Sequence, residues 1–360
     1  MNRFVPDEVW IERTEIDTPL ARTLVSRVDA RTVRLLDDGA AVEAESFAAG
    51  KRQLVLQRHR GSFLRHCPAG TAGLVCCNYL VVNLASNCPF DCSYCFLQEY
   101  LANNPTMKAF TNVDDALEEI DVVLRAHPER SFRIGTGELA DSLALDPLTA
   151  LSRRLVPFFA QRPNALLELK TKTDCVEELL SLDPKGRVVV SWSVNAPQII
   201  EAEEHGTATL AERLLAAQRV QAAGYKVGFH FDPVIELEGW EEAYAQTVDA
   251  IFGAVDRRSI AWISLGSLRL TPSLRRSIRS RSNDSLILGS ELVPCMDGKA
   301  RVWRGLRTRM YRHLVERLEQ TAGDVPIYLC MEPPAMWDRV MGKVPSDRQL
   351  GMRLAGGVAW

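Results

Sequence analysis

No stretch of this 360-residue chain approaches the roughly 18 consecutive apolar residues of a membrane-spanning helix, so no such helix is expected. The segment from Met1 to Glu8 carries acidic residues where a secretory signal would have its apolar core, which argues against a signal peptide. Nine cysteines, odd in number and unevenly spaced, do not suit the disulfide framework of a secreted domain. These features predict a cytoplasmic protein with reduced thiols.

The chain also has no large excess of charge, because 43 Lys and Arg residues stand against 46 Asp and Glu. The charges are unevenly distributed, however. From Arg269 to Arg312, eleven basic residues face only three acidic ones. Such a segment can bind a polyanion, or it can be an ordinary solvated surface with scattered arginines. Both interpretations remain open.

Hydrophobic and charged fractions of 46% and 25% are those of an ordinary globular protein with a large core. The first part of the chain shows a strand pattern at 9–11, a helix pattern at 19–28 and a second strand pattern at 32–36. We expect three units. They are an N-terminal α/β unit (1–75), a core (76–266), and a basic C-terminal extension that packs on the core (267–360).

Within the core, apolar stretches that predict strands alternate with helical patterns. The predicted strands are 79–84, 131–136, 165–171, 187–194, 225–232 and 260–266. The predicted helices are 113–126, 145–160, 209–223 and 238–252. This alternation predicts a parallel sheet with right-handed crossovers, either open or curled into a partial barrel. Functional residues in such folds lie at the carboxyl ends of the strands.

The most informative motif is Cys88-Pro-Phe-Asp-Cys92-Ser-Tyr-Cys95, which follows the first of these strands. Its spacing, C-x3-C-x2-C, supplies three thiolates where a [4Fe–4S] cluster has four irons, which would leave the fourth iron open for a small molecule. A zinc site is the alternative metal interpretation, although zinc prefers four protein ligands, or three and water. The three residues can also be buried or free thiols that happen to lie close together.

Polar residues follow the second and third strands of the predicted sheet. After the second strand, Glu138 can accept hydrogen bonds from an ammonium group, and Asp141 and Ser142 come shortly after it. The third strand ends with Lys170 and Lys172, which alternate along the chain and should share one face. We take these five residues as candidate cofactor contacts, with an ordinary loop or a solvent-facing strand end as the alternative.

The later strands contribute further candidates. Ser193 and Asn195 alternate with apolar residues at the end of the fourth strand, as suits small polar groups that face a site. Arg213, on the following helix, can bind a ligand carboxylate or pair with a nearby glutamate. His230 and Asp232 share one face near the end of the fifth strand, and we take them as candidate catalytic residues. The alternative for the histidine is a hydrogen-bonded core residue.

Together the cysteine spacing, the Gly-Glu turn and the polar fourth strand resemble the radical S-adenosylmethionine enzymes. Within that superfamily the chain is similar to the spore photoproduct lyase family over most of its length. The segments that carry this similarity are Phe4-Val5-Pro6, Val9-Trp10-Ile11-Glu12, Tyr94-Cys95-Phe96-Leu97-Gln98, Glu204-His205-Gly206-Thr207, Ala222-Ala223-Gly224-Tyr225, Gly228-Phe229, Pro233-Val234-Ile235 and Gly239-Trp240.

The resemblance implies a partial (βα)6 barrel and a [4Fe–4S] cluster held by the three motif cysteines. It implies that S-adenosylmethionine is cleaved reductively to a 5′-deoxyadenosyl radical, which abstracts hydrogen from a substrate. A DNA or nucleotide lesion is the favoured substrate, and an electron donor such as flavodoxin or ferredoxin is the expected partner. By the same resemblance Glu138, Ser193, Asn195 and Arg213 surround S-adenosylmethionine, and Tyr94 is a candidate catalytic residue.

Two other functions remain open alongside this one. The chain can be a radical enzyme that acts on a peptide or a small metabolite. It can also be a non-catalytic iron–sulfur protein that binds nucleic acid through its basic segment. In that segment a tryptophan lies beside basic residues that can contact phosphates while the ring stacks on a base. The nucleic-acid candidates are Lys299, Arg301, Trp303, Arg304 and Arg307.

The chain departs from the lyase family at two places. The family has a cysteine after the second strand that returns a hydrogen atom to the product, whereas residues 135–141 of this chain contain none. The family also has tyrosines on both sides of the last motif cysteine, and here the second of them is Phe96. Cys175 and Cys330 are possible substitute donors, although Cys175 is predicted to begin a helix and Cys330 to lie in a buried strand. Both patterns favour a structural role.

Overall fold

The computed structural model describes residues 3–68 and 70–356, so positions 1, 2, 69 and 357–360 of the predicted units lie outside the described residues. The strands are β1 (Glu8–Glu12), β2 (Val33–Leu36), β3 (Gln53–Gln57), β4 (Leu64–His66), β5 (Leu80–Val82), β6 (Ala85–Ser86), β7 (Asp91–Cys92), β8 (Met107–Phe110), β9 (Phe132–Gly135), β10 (Ala165–Thr171), β11 (Val188–Ser193), β12 (Glu204–His205), β13 (Lys226–Val234), β14 (Ile260–Ser267), β15 (Arg269–Leu270), β16 (Leu292–Pro294), β17 (Ala300–Val302) and β18 (Ile327–Leu329).

The strands are joined by α-helices and by short 3₁₀ turns. The helices are α1 (Pro19–Val25), α2 (Phe47–Gly50), α3 (Leu97–Tyr100), α4 (Val113–Ala126), α5 (Asp146–Thr149), α6 (Ser152–Ala160), α7 (Pro197–Glu203), α8 (Leu210–Ala222), α9 (Trp240–Ala254), α10 (Pro272–Arg281), α11 (Arg304–Ala322), α12 (Pro334–Met341) and α13 (Asp347–Leu354). Across residues 3–68 and 70–356, none of the helices combines the length and apolarity needed to span a bilayer.

The larger sheet has eight strands in the order β18-β14-β13-β11-β10-β9-β5-β4. All neighbouring pairs are parallel except β4 and β5. The sheet is curled, because Arg133 on β9 donates a hydrogen bond of 3.2 Å to the Tyr328 hydroxyl on β18, the strand at the far end of the order. The partial barrel is therefore confirmed, and β18 adds a seventh parallel strand to the six that were predicted.

The smaller sheet has the order β2-β1-β3-β8-β6. Its strands β1, β2, β3 and β8 are parallel, and one face of the sheet packs against α1 in a separate apolar core. Strands β6 and β8 come from residues 85–110, so the chain returns to this sheet after β5 has entered the barrel. The cysteine motif therefore lies in a segment that belongs to both sheets, and the division of the chain at residue 75 stays a prediction.

Most core elements lie where the sequence patterns predict them. Strand β10 covers 165–171 and helix α4 covers 113–126, which are the predicted ranges. The predicted helix 145–160 is divided into α5 and α6. The break lies at Ala150, whose left-handed backbone (φ +50°) ends α5.

A glycine at the end of β9 is required by close packing inside the barrel. A Cβ at Gly135 would lie 1.6 Å from the Tyr79 hydroxyl oxygen and 3.0 Å from the Glu168 carbonyl oxygen. We expect Gly135→Ala to destabilise the protein by about 1–3 kcal/mol, since overpacking forces side chains and backbone to move.

Gly253, an exposed residue of α9, is the matched control, because apart from its chain neighbours and the nearby helix backbone no atom lies within 4 Å of the place that an added Cβ would occupy. Gly253→Ala should be neutral or stabilise by up to about 1 kcal/mol, because alanine favours helix more than glycine does. Urea unfolding midpoints measure both changes. Equal midpoints for the two variants would show that the space around Gly135 is not restrictive.

Candidate functional site

The cysteine motif forms a loop between β6 and α3 at the edge of the barrel. Asn87 has a left-handed backbone (φ +68°), and its side-chain oxygen accepts a hydrogen bond of 2.8 Å from the Cys88 amide. The middle of the loop is the short strand β7, which pairs with β12 so that Cys92 lies opposite Glu204. The Cys95 amide then donates to the Cys92 carbonyl at 3.1 Å, which closes a turn.

The three thiols of this loop pack together with apolar neighbours. Cys88, Cys92 and Cys95 share a small cluster with Phe90, Tyr94 and Ala144. Burial raises the pKa of Cys92 to about 12 and that of Cys88 well above its usual value. Within the described ranges, no three side chains among His, Cys, Asp and Glu are arranged so that they could hold a metal ion. The three cysteines therefore belong to one packed cluster, and their role as ligands stays a prediction.

The Glu204 carboxylate, on β12, connects this loop to the barrel. One of its oxygens lies 2.8 Å from the Lys172 ammonium, and the other accepts a hydrogen bond of 2.6 Å from Arg213. The Tyr94 hydroxyl also donates to Glu204. Burial opposes ionisation of Glu204, but Lys172 and Arg213 outweigh it and lower the pKa of the carboxyl to about 2. A buried, ionised carboxylate thus joins β10, α8 and the cysteine loop.

Two further cations hold the loop from outside the barrel. Lys51, next to β3 and only 6% exposed, donates a hydrogen bond to the Phe90 carbonyl and lies 3.6 Å from the Asp91 carboxylate. Arg281, at the end of α10, makes two hydrogen bonds to the same carboxylate, at 2.7 and 2.9 Å. Asp91 lies between Cys88 and Cys92, so the N-terminal sheet and the C-terminal segment both contact the middle of the motif.

A group of charged side chains lies beyond the strand ends. Asp232 on β13 is paired with Arg269 at 2.7 Å. Lys170 and Lys299 are within electrostatic reach of Glu138, as are Asp232 and Arg269. Burial raises the pKa of Glu138, and the neighbouring cations only partly offset this effect. Within the described residues no hydrogen bond or ion pair involves the Glu138 carboxylate, so it remains available to a cationic group.

Asp141 and Ser142 hold the ends of β9 and β10 together. The Asp141 carboxylate accepts hydrogen bonds from the Thr171 hydroxyl and the Lys172 amide, both at 2.7 Å, and from two amides of its own turn. The Ser142 hydroxyl accepts from the Lys170 amide at 3.0 Å. The two side chains shape the strand ends, and their role as cofactor contacts stays a prediction.

The polar residues at the end of β11 have different surroundings. The Asn195 side chain donates to the Pro233 carbonyl at 3.0 Å and accepts from the Tyr244 hydroxyl at 2.6 Å. Arg213 is fully buried and donates to Glu204, to the Thr207 hydroxyl and to two backbone carbonyls, one of which belongs to Ser193. The sequence had left Arg213 two possible partners, and in the structure it pairs with the nearby glutamate.

His230 belongs to a buried network inside the barrel. Its Nε2 lies 2.7 Å from the ionised Glu168 carboxylate and therefore donates, while its Nδ1 lies 2.8 Å from the Ser264 hydroxyl. Arg133 donates to the other oxygen of Glu168 at 2.7 Å. Burial, together with the charge of Lys170, lowers the pKa of His230 to about 4, so the ring is neutral near pH 7. Both ring nitrogens already have partners.

Comparison with known proteins identifies the family of this fold and site. The family model for spore photoproduct lyase matches residues 4–285, which include the cysteine loop and the strand ends described above. The chain belongs to the spore photoproduct lyase family. It is therefore a radical S-adenosylmethionine enzyme of lyase type, as the sequence resemblance implies.

Individual members of the family are distant in sequence. The chain is 27% identical to spore photoproduct lyase of Bacillus subtilis over 77% of this chain and 82% of the relative, and 26% identical to that of a Geobacillus species over 68% and 72%. A solved structure of spore photoproduct lyase with dinucleoside spore photoproduct superposes with a TM-score of 0.79 at 21% identity, covering 91% of this chain and 99% of that one. This similarity confirms the fold.

The basic segment, which the family match only partly covers, contains buried arginines that pair with acidic residues and other candidates that are exposed. Arg301 is buried and makes two hydrogen bonds to Asp297, at 2.7 and 2.6 Å, and Arg307 lies 3.2 Å from the buried Glu332. In contrast, Trp303 is 60% exposed and Arg304 is exposed beside it. Of the five nucleic-acid candidates, these last two and the half-buried Lys299 are accessible to a ligand.

The two cysteines considered as donors in place of the family's second-strand cysteine are in different environments. Cys175 lies in a loop before a turn and not at a helix start as predicted, and its amide donates to the Thr173 hydroxyl at 3.2 Å. Cys330 follows β18 and is within electrostatic reach of Asp232, Arg269 and Lys170. It therefore shares its surroundings with Glu138, whereas Cys175 does not.

Several site residues had no local signal in the sequence. Lys51 lies 39 positions before the carbonyl that it contacts, and Arg281 lies 190 positions after Asp91. The sequence marks Arg269 only as part of the basic segment and does not indicate its pairing with Asp232. Glu204 could have been found, because an acid directly before the capped helix that carries Arg213 is a natural partner for that arginine.

We expect Glu204→Gln to destabilise the protein by about 3–5 kcal/mol, because it leaves the charges of Lys172 and Arg213 buried without a counter-charge. The matched control is Glu177→Gln, which breaks a surface pair with Arg219 (3.0 Å) and should cost about 0–1 kcal/mol. Urea denaturation followed by circular dichroism measures both. Similar losses in the two variants would mean that the Glu204 carboxylate does not connect the loop to the barrel.

Proposed function

We propose that this protein cleaves S-adenosylmethionine reductively at a [4Fe–4S] cluster and uses the resulting radical to repair a spore photoproduct lesion in DNA. The observation that carries the proposal is the family match over residues 4–285, which includes three cysteines packed together on one loop at the barrel edge. We also propose that the protein acts in a reduced cytoplasm and receives its electron from a donor such as flavodoxin or ferredoxin.

The donor set fits such a cluster, although no three described side chains converge on a single metal ion, because each cysteine of a [4Fe–4S] cluster binds a different iron. Three sulfur donors on one short loop match the ligands of a [4Fe–4S] cluster with one iron left open, and Cys88, Cys92 and Cys95 would hold it. When bound, the cluster would supply the electron for reductive cleavage of S-adenosylmethionine to a 5′-deoxyadenosyl radical. The chain supplies the geometry. Lys51 and Arg281 fix the loop through the Phe90 carbonyl and the Asp91 carboxylate.

Glu138 is the proposed acceptor for the ammonium group of S-adenosylmethionine. Its carboxylate is partly buried and unpaired among the described side chains, and burial raises its pKa. A cationic ligand would offset that cost of burial. Ser193, at the end of β11, is 5% exposed, and no hydrogen bond involves its hydroxyl within the described chain. We propose that this hydroxyl is a second polar contact.

Known structures support the choice of substrate. Spore photoproduct lyase has been solved with bound AdoMet and dinucleoside spore photoproduct, and separately with the dinucleoside spore photoproduct. In this chain Lys170, Lys299 and the Arg269–Asp232 pair are within electrostatic reach of Glu138, and Trp303 and Arg304 are exposed on the same C-terminal segment as Lys299. Cations can contact phosphates and an exposed indole ring can stack on a base.

The test is anaerobic reconstitution followed by reduction in the presence of S-adenosylmethionine and dinucleoside spore photoproduct. We expect 5′-deoxyadenosine and the repaired nucleosides, both quantified by mass spectrometry. Cys92→Ala should abolish both products. Cys295→Ala, which removes a thiol outside the motif, should leave them unchanged.

Each alternative function gives a distinct result in this assay. An intact cluster without 5′-deoxyadenosine would contradict the enzymatic proposal and favour a non-catalytic nucleic-acid-binding protein. 5′-Deoxyadenosine without repair would contradict the lesion as substrate. Deuterium transfer from a labelled peptide or metabolite into 5′-deoxyadenosine would then identify the other substrate class.

We propose further that Cys330 returns the hydrogen atom to the product radical. Residues 135–141 contain no thiol, and Cys330 is within electrostatic reach of Asp232, Arg269 and Lys170, which also act on Glu138. Burial and Asp232 raise the pKa of Cys330 well above its usual value, so the sulfur keeps its hydrogen. The hydrogen atom would pass from sulfur to the substrate carbon radical and leave a thiyl radical, which would then take a hydrogen atom from 5′-deoxyadenosine and return it to the 5′-deoxyadenosyl radical.

The corresponding prediction compares two cysteine variants. Cys330→Ala should lower the yield of repaired nucleosides by about tenfold or more, which corresponds to at least about 1.4 kcal/mol in the activation free energy of that step, while 5′-deoxyadenosine still forms. Cys175→Ala should leave the yield unchanged. Full repair by Cys330→Ala, or loss of repair in Cys175→Ala alone, would exclude Cys330 as the donor.

A further inference from the structure

A cavity on one face of the smaller sheet is lined by strand residues and by residues 39–42 of a loop. Residues 9, 11, 54, 56, 107 and 109 point into the core with α1, so the alternate residues form the opposite face. Val55 pairs with Lys108, and Lys108 pairs with Ser86, so these three side chains share that face. A cavity of about 380 Å³ lies between this face and residues 39–42.

The cavity lies where parallel α/β sheets bind ligands. Glu12, Gln57 and Phe110 line it and are the last residues of β1, β3 and β8. The chain passes from β1 to β2 on one side and then returns to place β3 on the other side of β1. Ligands of open α/β sheets bind at the carboxyl ends of the strands where the strand order reverses in this way.

Among the described residues, no carboxylate that lines the cavity forms an ion pair with the cations that line it. Arg58 pairs with the Asp115 carboxylate, which is not part of the lining. For Lys108 and Arg60, no hydrogen bond or ion pair is formed by either side chain within residues 3–68 and 70–356. The Arg60 guanidinium lies close to the loop, 3.3 Å from the position that a Cβ at Gly39 would occupy.

Lys108 is half-buried, and desolvation alone lowers its pKa, with no carboxylate acting in the opposite direction. A buried ammonium without a counter-charge is costly, and a bound anion would remove that cost.

Glu12, the acidic residue of the lining, is not a counter-charge for Lys108. Glu12 is buried, and one oxygen accepts the Gly39 amide while the other accepts the Arg58 amide, both at 2.9 Å. The carboxylate therefore fixes the loop that contains residues 39–42 and the segment after β3. The remaining polar lining includes the Gln57 amide, so the cavity combines unpaired cations with neutral hydrogen-bonding groups.

We propose that this cavity binds a phosphate-bearing ligand of nucleotide size through Lys108 and Arg60. An arginine gives two parallel hydrogen bonds to phosphate, and a lysine adds a point charge. The volume lies within the range of small-molecule sites. The phosphate can belong to a free nucleotide or to a DNA strand.

The cavity also adjoins the cysteine loop. Ser86 is two residues before Cys88, and Asn104 and Thr106 flank the Pro105 carbonyl, which accepts a hydrogen bond of 2.5 Å from the Asn87 side chain. A ligand in the cavity would thus contact the segments that lead into and out of the loop.

The test is calorimetric titration of the purified full chain with inorganic pyrophosphate in chloride buffer. Lys108→Gln and Arg60→Gln should each raise the Kd by about tenfold or more, since hydrogen bonds to charged groups are of that strength. Lys108→Arg should retain binding. The matched control is Arg22→Gln, an exposed cation of α1 on the opposite side of the sheet, which should leave the Kd unchanged.

Two further titrations, with a nucleoside triphosphate and with a short single-stranded oligonucleotide, distinguish the sources of phosphate. A small-molecule site should bind the triphosphate more tightly than the oligonucleotide, and a site for DNA should do the reverse. In both cases Lys108→Gln should bind the preferred ligand more weakly than the wild-type protein does. The proposal is overturned if the wild-type protein binds no pyrophosphate at about 10 mM. It is equally overturned if Lys108→Gln and Arg60→Gln bind as Arg22→Gln does.

Discussion

The arrangement of the site depends on one buried carboxylate, that of Glu204. It lies between the charges of Arg213 and Lys172 and also accepts a hydrogen bond from Tyr94 of the cysteine loop. A carboxylate is stable in such a place only when its charge is compensated, because the cost of desolvation is large. The loop is thereby fixed to the barrel by a group that no neutral side chain can replace without leaving two buried cations.

The elements that the sequence predicted well are those specified by local patterns. Strand β10 and helix α4 follow from apolar alternation and helical periodicity over a few turns. The cysteine loop follows from spacing within eight residues. The contacts of Lys51 and Arg281 with that loop could not be predicted, because they join positions far apart in the chain and a basic residue carries no mark of its partner.

For His230 and Arg301, too, the sequence could not predict which residues their side chains contact. Alternation placed His230 on the same face as Asp232, but its partner Glu168 comes from a strand that is not next to its own in the sheet. Arg301 belongs to a basic segment, yet it is buried against Asp297 four positions earlier. A count of charges cannot separate such a pair from an exposed arginine like Arg304, since the difference lies in burial.

We propose that Cys88, Cys92 and Cys95 hold a [4Fe–4S] cluster with one iron open to S-adenosylmethionine. Mössbauer spectroscopy of the ⁵⁷Fe-reconstituted protein tests this most directly. We predict that one iron site in four changes its isomer shift when S-adenosylmethionine is added, while the other three stay the same. A spectrum in which no iron site responds to S-adenosylmethionine, or a protein that retains zinc and no cluster, would contradict the account.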